Sequence, residues 1–148
     1  MHEVFRYRFL HAGAGLAADL SAGAYGTDTV PRSPGLQIHR GLRLRLPADR
    51  ALHWKDAAWL AFGASLHAER LAADGVLVLD VDALTYPHAH FRSEAAALAL
   101  DGWIHRRFGL PACGASVSYD GPSRRFAFTW PDGVTPFADA PLPPLPPE

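Results

Sequence analysis

The segment spanning residues 75–108 constrains the fold more than any other part of the sequence. Residues 75–84 read Gly-Val-Leu-Val-Leu-Asp-Val-Asp-Ala-Leu, an apolar run that passes into alternating apolar and acidic residues. Residues 93–108 place Ala, Leu and aromatic residues at helical spacing, and Gly109 and Pro111 follow them. The first pattern predicts a strand with a buried start, and the second predicts a helix that ends at Gly109. A polar loop must connect the two.

Two stretches nearer the N-terminus alternate between apolar and polar residues, which is typical of half-buried strands. They cover residues 4–10 and 36–46, and Gly41 is interpreted as a bulge in the second strand. Residues 11–26 are rich in Ala and Gly, and these glycines argue against a long helix there. We interpret that stretch as a connection with at most a short helical turn over residues 16–20.

A second helix and a hairpin complete the predicted set of elements. The helix runs from Asp49, a candidate N-cap, to about Ala73, with a wide apolar arc. Strands over residues 115–119 and 125–130 flank Asp-Gly-Pro-Ser, which is a strong turn signal. The elements together predict an α+β fold, with a mixed or antiparallel sheet of about four to five strands and two helices packed on one face.

The length of 148 residues fits one domain, predicted over residues 1–134. The proline-dense tail, residues 135–148, is expected to be extended or disordered. No signal-peptide pattern opens the chain and no apolar run is long enough to span a bilayer, so we expect a cytoplasmic protein with no membrane partner. Cys113 is the single cysteine, which excludes an internal disulfide. Arginine is frequent and Lys55 is the one lysine, a bias that indicates a high-GC bacterial genome.

Part of the chain resembles domain IV of translation elongation factor G, which has the ribosomal protein S5 domain 2-like fold. The resemblance covers about residues 54–108: a helix, a Gly-containing turn, a Val-rich strand, a loop with tyrosine and an Ala-rich helix opened by Ser-Glu. The matching positions are Tyr86, Ser93, Glu94 and Ala96. Pro87 and His88 replace the Tyr-His pairing of the family, and its acidic loop residues are absent. The sequence has no GTPase motif, which excludes a translational GTPase, so the resemblance implies only a stand-alone domain of that fold.

Histidines in the loop are the candidate metal ligands. His88 and His90 are spaced i, i+2 and point the same way on an extended backbone, so they could share a zinc ion. Asp80, Asp82 or Glu94 would complete such a site. The alternative is a pair of exposed loop histidines, in which case no cofactor is needed.

Paired carboxylates are the candidate catalytic residues. Asp80 and Asp82 share one face of the predicted strand, about 7 Å apart. With His88 and Glu94 nearby, they could perform general acid–base chemistry if burial raised one pKa. The alternative is two solvated carboxylates on the outer half of a strand.

The loop also offers candidate ligand-binding residues. They are Tyr86, His90, Phe91, Arg92 and Ser93. Arg92, Ser93 and the first amides of the helix could hold an anion, because helix N-termini present unpaired N–H groups. The alternative is that Ser93 acts only as the N-cap. In the same helix, Asp101 and His105 are spaced i, i+4 and are predicted to pair on its exposed side.

Arginines on the predicted strands could form a basic sheet face that binds an acidic partner or RNA. They are Arg6, Arg8, Arg43, Arg45, Arg124 and Arg125. The formal net charge of −1 argues against nucleic acid, and a plain solvated sheet face is the alternative.

Two functions from different classes are compatible with these patterns. The first is a small binding or accessory protein that engages a protein or a small molecule through a sheet face or the loop 86–92. The second is a small hydrolase-like or biosynthetic enzyme with an Asp/His/Glu site, metal-dependent if the histidines bind zinc. Whether the chain is an enzyme stays open, and the edge strands leave a homodimer open as well.

Overall fold

The computed structural model describes residues 2–11, 13–28, 35–47, 52–71, 75–87 and 92–133. These ranges contain the strands β1 (Glu3–His11), β2 (Ala14–Thr27), β3 (Leu36–His39), β4 (Leu42–Arg45), β5 (Val76–Thr85), β6 (Ser116–Asp120) and β7 (Arg125–Thr129). They also contain the helices α1 (Trp54–Ser65), α2 (Ala68–Leu71) and α3 (Glu94–Phe108). Within the described ranges, none of the helices has both the length and the apolar character that a membrane crossing requires.

Five strands form one mixed sheet in the order β1-β2-β5-β4-β3. All neighbouring pairs are antiparallel except β4 and β5, which are parallel because the chain crosses over through α1 and α2 between them. The hairpin β6-β7 forms a second, two-stranded sheet. The predicted α+β class is confirmed, and so are the first strand, the strand and helix of 75–108, and the C-terminal hairpin.

The core lies between one face of the large sheet and the helices. Leu20, Val81 and Leu79 project from the two central strands, and the Ala-rich face of α3 packs over them. Small residues bring the layers close: an added Cβ on Gly63 of α1 would lie 3.0 Å from the carbonyl oxygen of Ala97 in α3. The two long helices therefore cross almost backbone to backbone.

The hairpin extends the same layer. Phe126 of β7 packs against Leu16 of β2 in a small satellite core, and its ring lies 6.1 Å from that of Phe9. Trp130, just after β7, lies 5.2 Å from the ring of Trp59 in α1. Helices and hairpin thus cover one face of the sheet together.

The prediction for residues 11–26 was wrong, because this stretch is the long central strand β2. Strand pairing on both sides and burial under α3 outweigh the weak strand preference of Ala and Gly. Small side chains suit this position, since they leave room for the helix layer. Leu16, Ala18, Leu20, Ala22 and Ala24 form its covered side.

Two further boundaries differ from the sequence prediction. Residues 36–46 form the hairpin β3-β4, with Gly41 in its turn instead of in a bulge. The predicted long helix is interrupted at Leu66 and His67, after Ser65 Oγ donates to the carbonyl oxygen of Phe62 at 2.6 Å. The predicted N-cap Asp49 and the tail 135–148 lie outside the described residues.

Candidate functional site

The face of the sheet opposite the helices is called the open face here. Alternation along the strands places these side chains on it: Arg6, Arg8, Asp19, Ser21, Tyr25, Arg43, Arg45 and Asp80. Helices and hairpin in the described ranges pack on the other side. Of the six arginines predicted to share a face, four do so, whereas Arg124 and Arg125 belong to the hairpin.

Two arginines of the open face are neutralised by carboxylates on the central strands. Arg8 lies 2.7 Å from Asp19 in an ion pair. Arg45 lies 3.9 Å from Asp80, whose second oxygen is 3.1 Å from His2. The first contact joins the edge strand β1 to β2 and the second joins β4 to β5, and together they occupy both carboxylates.

The other two arginines form no ion pair with any described residue. Arg6 is exposed, and Asp19, its neighbour across the strand pair, makes its ion pair with Arg8 instead. Arg43 donates to the neutral side chain of Gln37 at 2.9 Å and to the carbonyl oxygen of Gly35 at 3.5 Å. Neither partner offsets the guanidinium charge, so Arg43 keeps its full attraction for an external anion.

The register places these two cations far apart along a diagonal of the open face. Arg6 is aligned with Asp19 and through it with Thr85, while Arg43 is aligned with Val78. Three strand spacings and about six residues along β5 separate the two alignments, which gives about 25 Å. Between them, the described part of the open face carries Ser21 together with the ion pairs of Asp19 and Asp80.

An exposed apolar side chain lies on the same face near each of these cations. Val4, 48% exposed, is the neighbour of Arg6 in β1. Tyr25, 41% exposed, is aligned with Val78 and so lies two strands from Arg43. Arginine beside exposed aromatic or aliphatic surface is the composition that protein interfaces favour.

The second candidate region is the end of β5, where Tyr86 begins the loop. Tyr86 donates its hydroxyl proton to Asp56 at 2.9 Å, and Asp56 is buried in the first turn of α1. Burial, with the nearby Asp56 charge, raises the pKa of the Tyr86 hydroxyl well above its ordinary value. The tyrosine therefore remains a neutral donor, and its hydrogen bond joins the end of β5 to α1.

The start of α3 is occupied by the protein's own side chains. Arg92 makes two hydrogen bonds, each 3.1 Å long, to the carboxylate of Glu94, and its guanidinium lies 5.3 Å from the ring centre of Phe128. Ser93 is buried at the N-cap, yet its side chain makes no capping bond. Because Glu94 already neutralises Arg92, the arginine predicted to bind an anion here is engaged internally.

The proposed catalytic residues are not brought together in the described part of the chain. Asp80 faces the open side and Asp82 lies at a bulge of the same strand, whereas Glu94 lies at the start of α3 in the helix layer. His88, His90 and Phe91 lie outside the described residues. Within the described ranges, no group of three His, Cys, Asp or Glu side chains could hold a metal ion.

The structure contains a buried polar pair, His67 and Asp101, that the sequence patterns do not predict. His67, 1% exposed, donates through Nε2 to Asp101 at 2.6 Å, and the same carboxylate oxygen accepts the backbone N–H of Cys113 at 2.9 Å. The prediction that Asp101 pairs with His105 on the exposed side was wrong: Asp101 is buried, and His105 bonds the carbonyl oxygen of Leu110. His67 lies in the break between α1 and α2, which lets its side chain reach Asp101. The periodicity of the sequence does not predict that break.

The comparisons with known proteins return no similarity. No family model matches the chain, no curated protein matches it, and no solved structure matches it. These comparisons do not bear on the resemblance to elongation factor G domain IV.

Proposed function

We propose that the protein is a small non-catalytic binding protein that holds an acidic segment of a partner protein across the open face. One observation carries the proposal: Arg6 and Arg43 form no ion pair with any described residue, and they lie on a sheet face that the described helices and hairpin leave free. Attraction between these cations and carboxylates of the partner would fix its position and direction.

The spacing of the cations describes the segment. It carries one acidic group near each end, about 25 Å apart, a distance that about eight extended residues span. Ser21 lies between the two cations, and its small side chain leaves room there for the backbone of the segment. Val4 and Tyr25 would contact apolar residues beside the acidic ones.

Protein is favoured over RNA as the partner for an electrostatic reason. The chain as a whole carries a net charge of −1, and the central strands place Asp19 and Asp80 on the open face. A continuous phosphate backbone would meet those carboxylates as well as the arginines. A peptide with acidic residues only at its ends avoids that repulsion.

The experiment compares two double variants that remove the same charge from different places. Arg6→Ala/Arg43→Ala removes the two free cations of the open face, and Arg124→Ala/Arg125→Ala removes two from the hairpin. Fluorescence anisotropy measures binding of a labelled eight-residue peptide with glutamates at both ends and of a matched peptide with glutamines. A labelled single-stranded RNA of similar length is the third probe.

We expect the glutamate peptide to bind the wild type in a salt-sensitive way and the glutamine peptide to bind more weakly. Loss of two surface ion pairs should weaken binding about three- to tenfold in the open-face variant, with the hairpin variant unchanged. Equal binding by both double variants would refute the proposal. Tighter binding of the RNA than of the peptide would refute the choice of a protein partner.

A further inference from the structure

A cavity of about 470 Å³ opens at the end of the sheet where β2 ends and β5 begins. It lies between α2 and the C-terminal end of α3, away from the free cations of the open face. Its apolar lining comes from Leu71, Leu77, Val76, Phe108 and Leu110. The volume falls within the range of small-molecule sites, which are mostly apolar with a few polar groups that orient the ligand.

Two charged side chains line the same cavity. Arg70, in the last turn of α2, is exposed and forms no ion pair with any described residue. Asp28 follows β2, and it too has no ion-pair partner in the described ranges. Arg70 also lines a neighbouring cavity of about 340 Å³, so this residue lies between the two cavities. A guanidinium beside an apolar cavity is the usual partner of a carboxylate.

We propose that this cavity binds a small amphipathic monocarboxylate, with the apolar body inside and the carboxylate on Arg70. Asp28 restricts the ligand to a single negative charge, because a second carboxylate would enter the field of Asp28 and be repelled. The site is independent of the open face, so each of the two proposals can fail without the other.

Gly26 provides a way to close the cavity without disturbing the sheet. It lines the cavity from β2, and a Cβ added there meets one neighbouring atom, the carbonyl oxygen of Val76, at the ordinary contact distance of 4.0 Å. Gly26→Phe would therefore project a ring into the hollow. Arg70→Ala removes the anchoring charge and leaves the apolar lining intact.

Isothermal titration of the full chain with octanoate, octanol and octanedioate tests the site. We expect octanoate to bind best and octanedioate worst. Arg70→Ala should weaken octanoate about tenfold, the loss of a charge-assisted hydrogen bond, and leave octanol unchanged. Gly26→Phe should abolish both, while Arg124→Ala, the matched control, should change neither.

Circular dichroism verifies that each variant is folded before titration. The proposal is overturned if octanoate fails to bind the wild type, or if folded Arg70→Ala binds it as well as the wild type does. Unchanged octanoate binding by folded Gly26→Phe would place the ligand elsewhere and overturn the site equally.

Discussion

Replacing Asp101 by alanine should destabilise the protein more than any other single change of a polar residue in the described core. One carboxylate oxygen of Asp101 accepts two hydrogen bonds, from the His67 ring at 2.6 Å and from the backbone N–H of Cys113 at 2.9 Å. Both acceptor and ring are buried, with 8% and 1% exposure. The pair joins the α1–α2 break to α3 and to the segment that leads into β6.

The size of the effect follows from what remains after the change. Asp101→Ala removes two hydrogen bonds and leaves His67 without its partner, while the other ring nitrogen of His67 already has none among the described residues. Breaking a buried pair in this way costs about 3–5 kcal/mol. Asp101→Asn keeps an oxygen that can accept both bonds, and should cost about 1–2 kcal/mol.

Urea unfolding followed by tryptophan fluorescence measures the free energy of unfolding of each variant. Asp82→Ala is the control, because an exposed carboxylate should change stability by less than about 0.5 kcal/mol. We expect the order wild type, Asp101→Asn, Asp101→Ala from most to least stable. The reasoning is refuted if Asp101→Ala lies within about 1 kcal/mol of the wild type, a loss too small for an orphaned buried histidine.

Three further predictions concern other contacts. Tyr86→Phe should lower the free energy of unfolding by about 1.5–3 kcal/mol in urea, because buried Asp56 loses a donor; an unchanged midpoint would contradict this. Gly63→Ala should destabilise by about 1–3 kcal/mol despite the better helix propensity of alanine, because its Cβ meets the Ala97 backbone. Increased stability would show that the helices separate freely. Burial raises the pKa of Cys113 from 9.0 to about 11, so iodoacetamide at pH 8 should modify it about a hundredfold more slowly than a free cysteine peptide. The raised pKa also makes stability depend on pH: the contribution of the protonated thiol is complete below about pH 9 and is lost as pH rises toward 11. Alkaline unfolding of Cys113→Ala and of the wild type measures this difference.

The strand and helix of 75–108 were predictable because their apolar patterns are long and end at Gly109. The central strand β2 was not recognised, although Ala18, Leu20 and Ala22 alternate with Asp19 and Ser21. Alanine and glycine carry little strand preference, and only pairing with neighbours on both sides reveals their role. In β2, the alternation of residues with a period of two indicates the strand better than the residue types do.

The candidate site was predictable only in part, for a related reason. The alternating pattern of the sequence predicts that the arginines lie on strands. Which of them share a face, and which are neutralised, depends on the register between β1, β2, β5 and β4. The His67–Asp101 contact joins residues far apart in sequence across a helix break. Such tertiary contacts leave no periodic trace, so neither the buried pair nor the cavity beside Arg70 could be anticipated.

The position of β5 between β2 and β4 also bears on how the chain folds during synthesis. Asp19 of β2 pairs with Thr85 of β5, so the centre of the sheet forms only after the chain between them has been synthesised. Closing so long a loop is entropically costly. The hairpin β1-β2 emerges from the ribosome before β5 does, and the edge of β2 that β5 covers stays unpaired until residue 85 has been released. A nascent chain shorter than that should remain open to chaperones, and pulse proteolysis of stalled chains should show protection appearing abruptly once β5 and α3 have both left the tunnel.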